Sequence, residues 1–347
     1  MFSYVAISFL ATMVILHASV VIGHENIRIN QNLTLTPLLL ITTLVAGLRY
    51  QTGGDWQVYQ EWYTSFSLDS ILSFGVEPGW IAYSLLLREL GFGFDLYLLA
   101  TAVLSNFLIW YGLARLLADK RIAAICFGFY CLIVFYSAQM FYIRAGLATG
   151  LFLSAVAISR ERKLNAGAIL LAAISIHFAV ALAALIYACM RLCTRSRLLL
   201  VLSVFGLMVL FSLVSGLLLP DVYVAGEFSE VRSLTLKSAF GLILLIVVII
   251  KLDNFKQRYS PEAAAIAVAA LTIPYLFESF EVGGRVRMFF SPIDGLPIYF
   301  LVRSIAGRRY AVGPLLAIIG MFVFIYWTDP YVLELFTPYQ TWLSKFF

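Results

Sequence analysis

The chain has 347 residues, 62% of them hydrophobic and only 12% charged, with a mean hydropathy of +0.93. That composition excludes a soluble globule, because no soluble fold of this size has interior enough to hide so much apolar surface. The net charge of +5 comes from short basic loops and points to no nucleic-acid partner.

In chain order, apolar stretches predict helices over about 2–23, 33–49, 94–117, 121–138, 139–159, 197–219, 236–252, 261–279, 286–305 and 311–327. The first has neither a basic n-region nor a small-residue cleavage site, so it reads as a retained helix. Residues 78–92 are expected to form a re-entrant or interfacial helix. Residues 164–192 form either two half-helices meeting at His177 or one long tilted helix, since broken backbone at membrane depth is tolerated only in protein or beside a watery cavity. The predicted fold is an all-α polytopic integral membrane helical bundle. It comprises a single transmembrane domain over 1–347, with about 10–12 transmembrane segments, some re-entrant or broken. Cys126, Cys131, Cys189 and Cys193 lie in or at the ends of apolar segments, which argues against a disulfide framework.

Orientation follows from the basic loops, because Lys and Arg in short loops stay cytoplasmic. RERK (160–163), RLCTRSR (191–197), KLDNFKQR (251–258) and RSIAGRR (303–309) are the candidates, together with ADKR (118–121). The loop 50–78 carries Asp55, Glu61, Asp69 and Glu77 but no Lys or Arg, and it is assigned outside with the re-entrant helix up to 92. A C-terminal tail, 328–347, is assigned to the same side.

Four arginines then stand out at the outer edges of apolar segments: Arg49, Arg144, Arg285 and Arg287. A guanidinium in or near hydrocarbon is costly and is usually kept where it lines a watery cavity or binds an anion. Arg49, at a helix end, can also snorkel to the headgroups. Arg144, about one turn into a helix, needs a partner such as a carboxylate on a neighbouring helix. Arg285 and Arg287 are two residues apart and cannot share one helical face. No Asp-x-Asp occurs in an outer loop and no His/Cys/Glu cluster has metal spacing, so neither a metal nor another cofactor is expected. No G-x-x-x-x-G-K-[ST] motif is present to hydrolyse ATP.

The run GLRYQTGGDWQVYQEWY (47–63), EPGW (77–80), FYIRAGLATGLFLSA (141–155), SIHFAVAL (175–182), RVRMFFSP (285–292) and TPY (337–339), in that order, resembles the EpsG family of bacterial exopolysaccharide proteins. That family belongs with the Wzy-type O-antigen and capsule polymerases. The similarity runs from about Arg49 to Pro292 and rests on the order and spacing of the motifs, each weak alone. GGD stands where G-T/S-D-Y is more familiar, which puts Trp56 where a tyrosine is common.

The resemblance implies glycan polymerisation at the outer face of the bacterial cytoplasmic (inner) membrane. A growing oligosaccharide would pass from undecaprenyl diphosphate to the next lipid-linked repeat unit, amid membrane lipid, with a flippase and a chain-length regulator as partners. On that implication Arg144, Arg285 and Arg287, then Arg49, hold the diphosphate, whose oxygens suit the planar guanidinium fork. His177 takes the proton of the acceptor hydroxyl. Asp55 is the rival, since a carboxylate against an apolar wall can become basic enough to do so; Glu77 and Glu281 follow. Sugar contacts fall to Tyr50, Trp56, Tyr59, Glu77, Gln139, Tyr142 and Glu281, although Trp and Tyr also gather at membrane interfaces as anchors. Two other functions use the same residues. A flippase or transporter of lipid-linked oligosaccharide needs charges near the midplane and two related halves, and a membrane O-acyltransferase needs an acyl donor reached from the cytoplasm.

Overall fold

The computed structural model describes residues 2–23, 32–72, 75–206, 236–276, 281–307, 310–328 and 341. Among these residues all regular structure is helical apart from one isolated antiparallel bridge between Arg49 and Thr341. The helices are α1 (Phe2–Gly23), α2 (Asn32–Gly47), α3 (Trp56–Ser65), α4 (Pro78–Glu89), α5 (Phe94–Leu116) and α6 (Lys120–Ile133). The next four are α7 (Ile143–Ile158), α8 (Lys163–Ile176), α9 (Ala179–Cys193) and α10 (Arg197–Gly206). Then come α11 (Leu236–Ile250), α12 (Leu252–Arg258), α13 (Pro261–Leu276), α14 (Glu281–Met288), α15 (Gly295–Ala306) and α16 (Val312–Thr328).

The core is built on helices that are apolar all round and therefore buried all round. Every residue of α6 from Ile122 to Ile133 is buried, as is every residue of α13 from Ala263 to Ala270. Helix α7 packs chiefly on α5 and α8, and α6 on α1. Two helical stretches, Val5–Gly23 and Phe94–Leu116, are long and apolar enough to cross a membrane. Helices α7, α8 and α9 have 16, 14 and 15 residues, short of the ~20 that a straight crossing takes.

Two predicted elements come out differently, and between the two alternatives for a third the structure chooses one. The helices expected over 121–138 and 139–159 are separated by a π-helical turn, Tyr136–Phe141, so α6 stops at Ile133 and α7 begins at Ile143. The intervening VFY has β-branched and aromatic side chains, which lose rotamer freedom in a helix. The stretch 286–305 is divided between α14 and α15 by a 3-10 turn, Ser291–Ile293, at Pro292, which lacks an N–H and biases its predecessor away from helix. Residues 164–192 form two half-helices, because His177 is extended (φ −152°, ψ 108°) between α8 and α9. The expected helical residues 207–219 and 277–279, the TPY motif, and the tail apart from Thr328 and Thr341 lie outside the described residues.

Helices α7, α8 and α9 run as a zigzag, so α7 and α9 both begin at one end of the bundle and finish at the other. The finishing end gathers the basic loops. Arg160 and Arg191 meet on Glu262, Arg197 and Lys256 meet on Asp253, and Arg115 pairs with Glu161. The starting end carries the side chains described next.

Candidate active site

Glu77 precedes α4, where Pro78 occupies the first helical position and gives up an N–H that has no intrahelical partner there. Its carboxylate makes no capping bond to the helix and is left for tertiary contacts. Gly79 determines where it goes. A Cβ at Gly79 would lie 2.2 Å from Ser175 Oγ and 2.7 Å from the Ser175 carbonyl carbon, so only glycine lets α4 settle on the end of α8. That approach brings Glu77 to His177, two residues past Ser175.

Arg144, the second residue of α7, reaches the same carboxylate. Glu77 Oε1 lies 3.1 Å from His177 Nδ1. Glu77 Oε2 accepts from Arg144 Nη1. The side chains of Glu77, His177 and Arg144 are only 11%, 10% and 17% exposed, so water screens these contacts weakly. Burial works to raise the Glu77 carboxyl, but the His177 ring and the Arg144 charge outweigh it and hold it at about 2.

Helix α3 roofs this cluster. The Arg144 guanidinium carbon stands 4.8 Å from the Trp62 ring centroid, and the Tyr59 hydroxyl accepts a hydrogen bond from Arg144. Burial nevertheless pushes the Tyr59 phenol up, with Arg144, Asp55 and Arg49 all near enough to act on it. Arg88 of α4 ties down the C-terminus of α3 by donating to the carbonyls of Tyr63 at 3.0 Å and Phe66 at 2.7 Å.

A second wall comes from α14. Arg285 lies 5.7 Å from the Tyr142 ring centroid, and Phe289 meets the His177 ring edge-on at 5.7 Å. The two are four residues apart and share a face. Arg287 points elsewhere and pairs with Asp294 at 3.3 Å.

The loop after α2 completes the group from below. Arg49 is fully buried and donates to the Gln139 carbonyl in the π-helical turn, while its backbone bridges Thr341. Gly53, at φ +96°, turns the chain where a Cβ would meet the Met140 carbonyl oxygen at 2.4 Å. Asp55 stands before α3 without capping it and is half-buried.

Several expected contacts are placed elsewhere. Trp56 is buried between Tyr50 and Phe94, with ring centroids 5.3 and 5.4 Å away, so it serves as packing for α3. The Gln139 amide is buried and donates to the Tyr130 hydroxyl at 3.1 Å. The Glu281 side chain lies outside the described residues. Sequence reasoning asked for a carboxylate beside Arg144 but did not identify Glu77, and it gave Trp62 and Phe289 no place against Arg144 and His177. The EPGW spacing was the one usable signal, since it puts a carboxylate immediately before a Pro-initiated helix and a glycine at the point of contact.

Chemically, the cluster offers a guanidinium for an anion and an imidazole backed by an ionised carboxylate for a proton. Among the described residues no group of three His, Cys, Asp or Glu side chains is placed to hold a metal ion. The model of the EpsG family matches residues 32–341, which take in every side chain of this site. No curated protein and no solved structure matches the chain.

Proposed function

The chain belongs to the EpsG family, and from that premise we propose that it is a polysaccharide polymerase of a bacterial cytoplasmic membrane. It moves a growing glycan from a polyprenyl diphosphate to the next lipid-linked repeat unit. The observation that carries this reading is the sharing of Glu77 between Arg144 and His177, which puts an anion-binding group and a proton-accepting group on one buried carboxylate.

A membrane setting is supported by the two spanning-length helices and by large apolar side chains that stay exposed among the described residues, such as Leu164, Leu171, Leu198 and Phe205. About 10–12 segments, some of them half-helices, then form one transmembrane unit. The basic loops at the far end of α7 and α9 support an orientation with that end in the cytoplasm and the site at the outer face.

In the reaction, Arg144 binds the diphosphate of the donor and stabilises the charge that develops as the anomeric C–O bond breaks. Among the described residues its Nε is buried without a hydrogen-bond partner, so it has a donor to give. Arg285 and Arg49 add positive charge from two sides, while Arg287 is held by Asp294. His177 takes the acceptor hydroxyl proton at Nε2, because Nδ1 faces Glu77. Glu77 stays ionised and stabilises the imidazolium that results. The acceptor oxygen bonds to the anomeric carbon, and the lipid diphosphate leaves. Asp55, half-buried at the mouth, is the second candidate base. The partly exposed rings of Tyr50, Trp62 and Tyr142 offer sugars their stacking faces. A flippase upstream and a chain-length regulator are the protein partners.

The test is a deletion strain complemented with wild type, Arg144→Ala, Glu77→Gln or His177→Ala, with membrane levels measured by blot. Single repeat units at the outer face in the deletion, and variants present in the membrane that restore no long polymer, support the polymerase. Repeat units trapped on the cytoplasmic side make the protein a flippase instead.

A further inference from the structure

The two segments that supply Arg144 and His177 are joined again a full helix length away. Glu262, the second residue of α13, has a side chain only 7% exposed, and each of its oxygens is taken by a different arginine. Oε1 lies 2.9 Å from Arg191 Nη2 and 3.0 Å from Arg191 Nε, in the last turn of α9. Oε2 lies 2.5 Å from Arg160 Nη2, two residues beyond α7.

The lengths match. Helices α7 and α9 have 16 and 15 residues, about 24 and about 22 Å at 1.5 Å per residue. Glu77 therefore bridges them where they begin and Glu262 where they end. Between the two carboxylates α7 relies mainly on α5 and α8, and it meets α9 at an edge-on contact of Phe152 with Tyr187, ring centroids 6.2 Å apart. Packed helices slide over one another by small shear movements. A buried carboxylate that must stay matched to two guanidiniums opposes such sliding, because any displacement leaves a buried charge uncompensated.

We propose that Glu262 is a positioning residue for the site at the other end. By holding the finishing ends of α7 and α9 level, it keeps Arg144 and His177 in register on the two oxygens of Glu77. This inference rests on the polymerase reading for its catalytic consequence, but the register itself is measurable without catalysis.

Two readouts test it, both in a Cys189→Ser, Cys193→Ser background reconstituted into lipid vesicles. Spin labels at Tyr142→Cys and Phe178→Cys report the spacing of the starting ends. Glu262→Ala is expected to shift or broaden that distance distribution relative to its parent. With lipid-linked repeat units supplied to the unlabelled background, which keeps Tyr142 and Phe178, the same substitution is expected to slow elongation about 10- to 100-fold, the scale of loss that follows ångström misplacement. A short bis-maleimide bridging cysteines introduced at Arg160 and Arg191 in the Glu262→Ala chain is expected to restore both. An unchanged distance distribution overturns the proposal, and so does a bridge that forms without restoring the distance. If the parent chain never elongates while the distances behave as expected, the clamp stands and the polymerase reading fails.

Discussion

Glu77 and Glu262 are two buried carboxylates used in the same way, each shared by one cationic group from the α7 segment and one from the α9 segment. They differ in what surrounds them. Glu262 holds two arginines, which keep their charge at any physiological pH, and both lie on chain that leads into basic loops. Glu77 holds one arginine and one histidine, under Trp62 and Tyr59, at a place where the backbone breaks between half-helices. An imidazole can accept and release a proton where a guanidinium cannot, so under the proposed function the arrangement that fastens one end would move a proton at the other. What distinguishes the two ends is therefore the second partner, a histidine in place of an arginine, and the backbone break beside it, rather than the carboxylate.

The sharpest way to break the comparison is to remove the arginine that α7 supplies to Glu77. Arg144→Ala is expected to lower polymer synthesis about 100- to 1000-fold, the usual consequence of losing a fixed charge at a leaving group, as read by labelled-sugar incorporation into long chains. Arg144→Lys should recover little of it, because an ammonium has neither the fork nor the flat face that lies over Trp62. Glu77→Gln comes next. It keeps the shape but withdraws the charge behind His177, and a loss of about 100-fold is expected within the range of proton-transfer catalysis.

The approach of α4 to α8 can be loosened without touching a charged group. Gly79→Ala sets a methyl against Ser175 and is expected to destabilise by about 1–3 kcal/mol, seen as a lower melting temperature in detergent, with partial loss of activity. Trp62→Leu should have the smallest effect, about two- to fivefold on synthesis, since a cation–π contact at a partly open site contributes about 0.5–1 kcal/mol.

Acid separates the roles from another direction. The Glu77 carboxyl is lowered from the ordinary 4.5 to about 2 in the folded chain. Its contribution to stability is therefore fully present above about pH 4.5 and is lost as pH falls towards 2. The melting-temperature difference between wild type and Glu77→Gln is expected to be flat at higher pH and to shrink across that window. A difference that grows on acidification contradicts the ionised Glu77.

The sequence carried the helices well wherever apolar runs were long and ended in charge, as with α1, α5 and α13. It also signalled the break at His177, because the halves on either side were too short and both flanking basic loops belonged on one side. It put a boundary between two helices at 138/139 but missed the π-helical geometry of Tyr136–Phe141, which depends on what packs around it. Pro292 was visible, and its effect on the stretch 286–305 was underestimated. In the site, the need of Arg144 for a carboxylate was legible from the cost of a buried charge, but its identity depended on the close contact of Gly79 with Ser175, a tertiary fact. Trp56 was expected to face sugar and instead packs behind α3, because composition does not say which side of an amphipathic helix meets its neighbours.

The most direct measurement is elongation in vesicles containing only this protein and one purified lipid-diphosphate-linked repeat unit. Chains longer than a single unit are expected with wild type, with none above background for Arg144→Ala present at equal amount. Vesicles in which wild type carries the unit across the bilayer and never lengthens it would contradict a polymerase built on Glu77, Arg144 and His177.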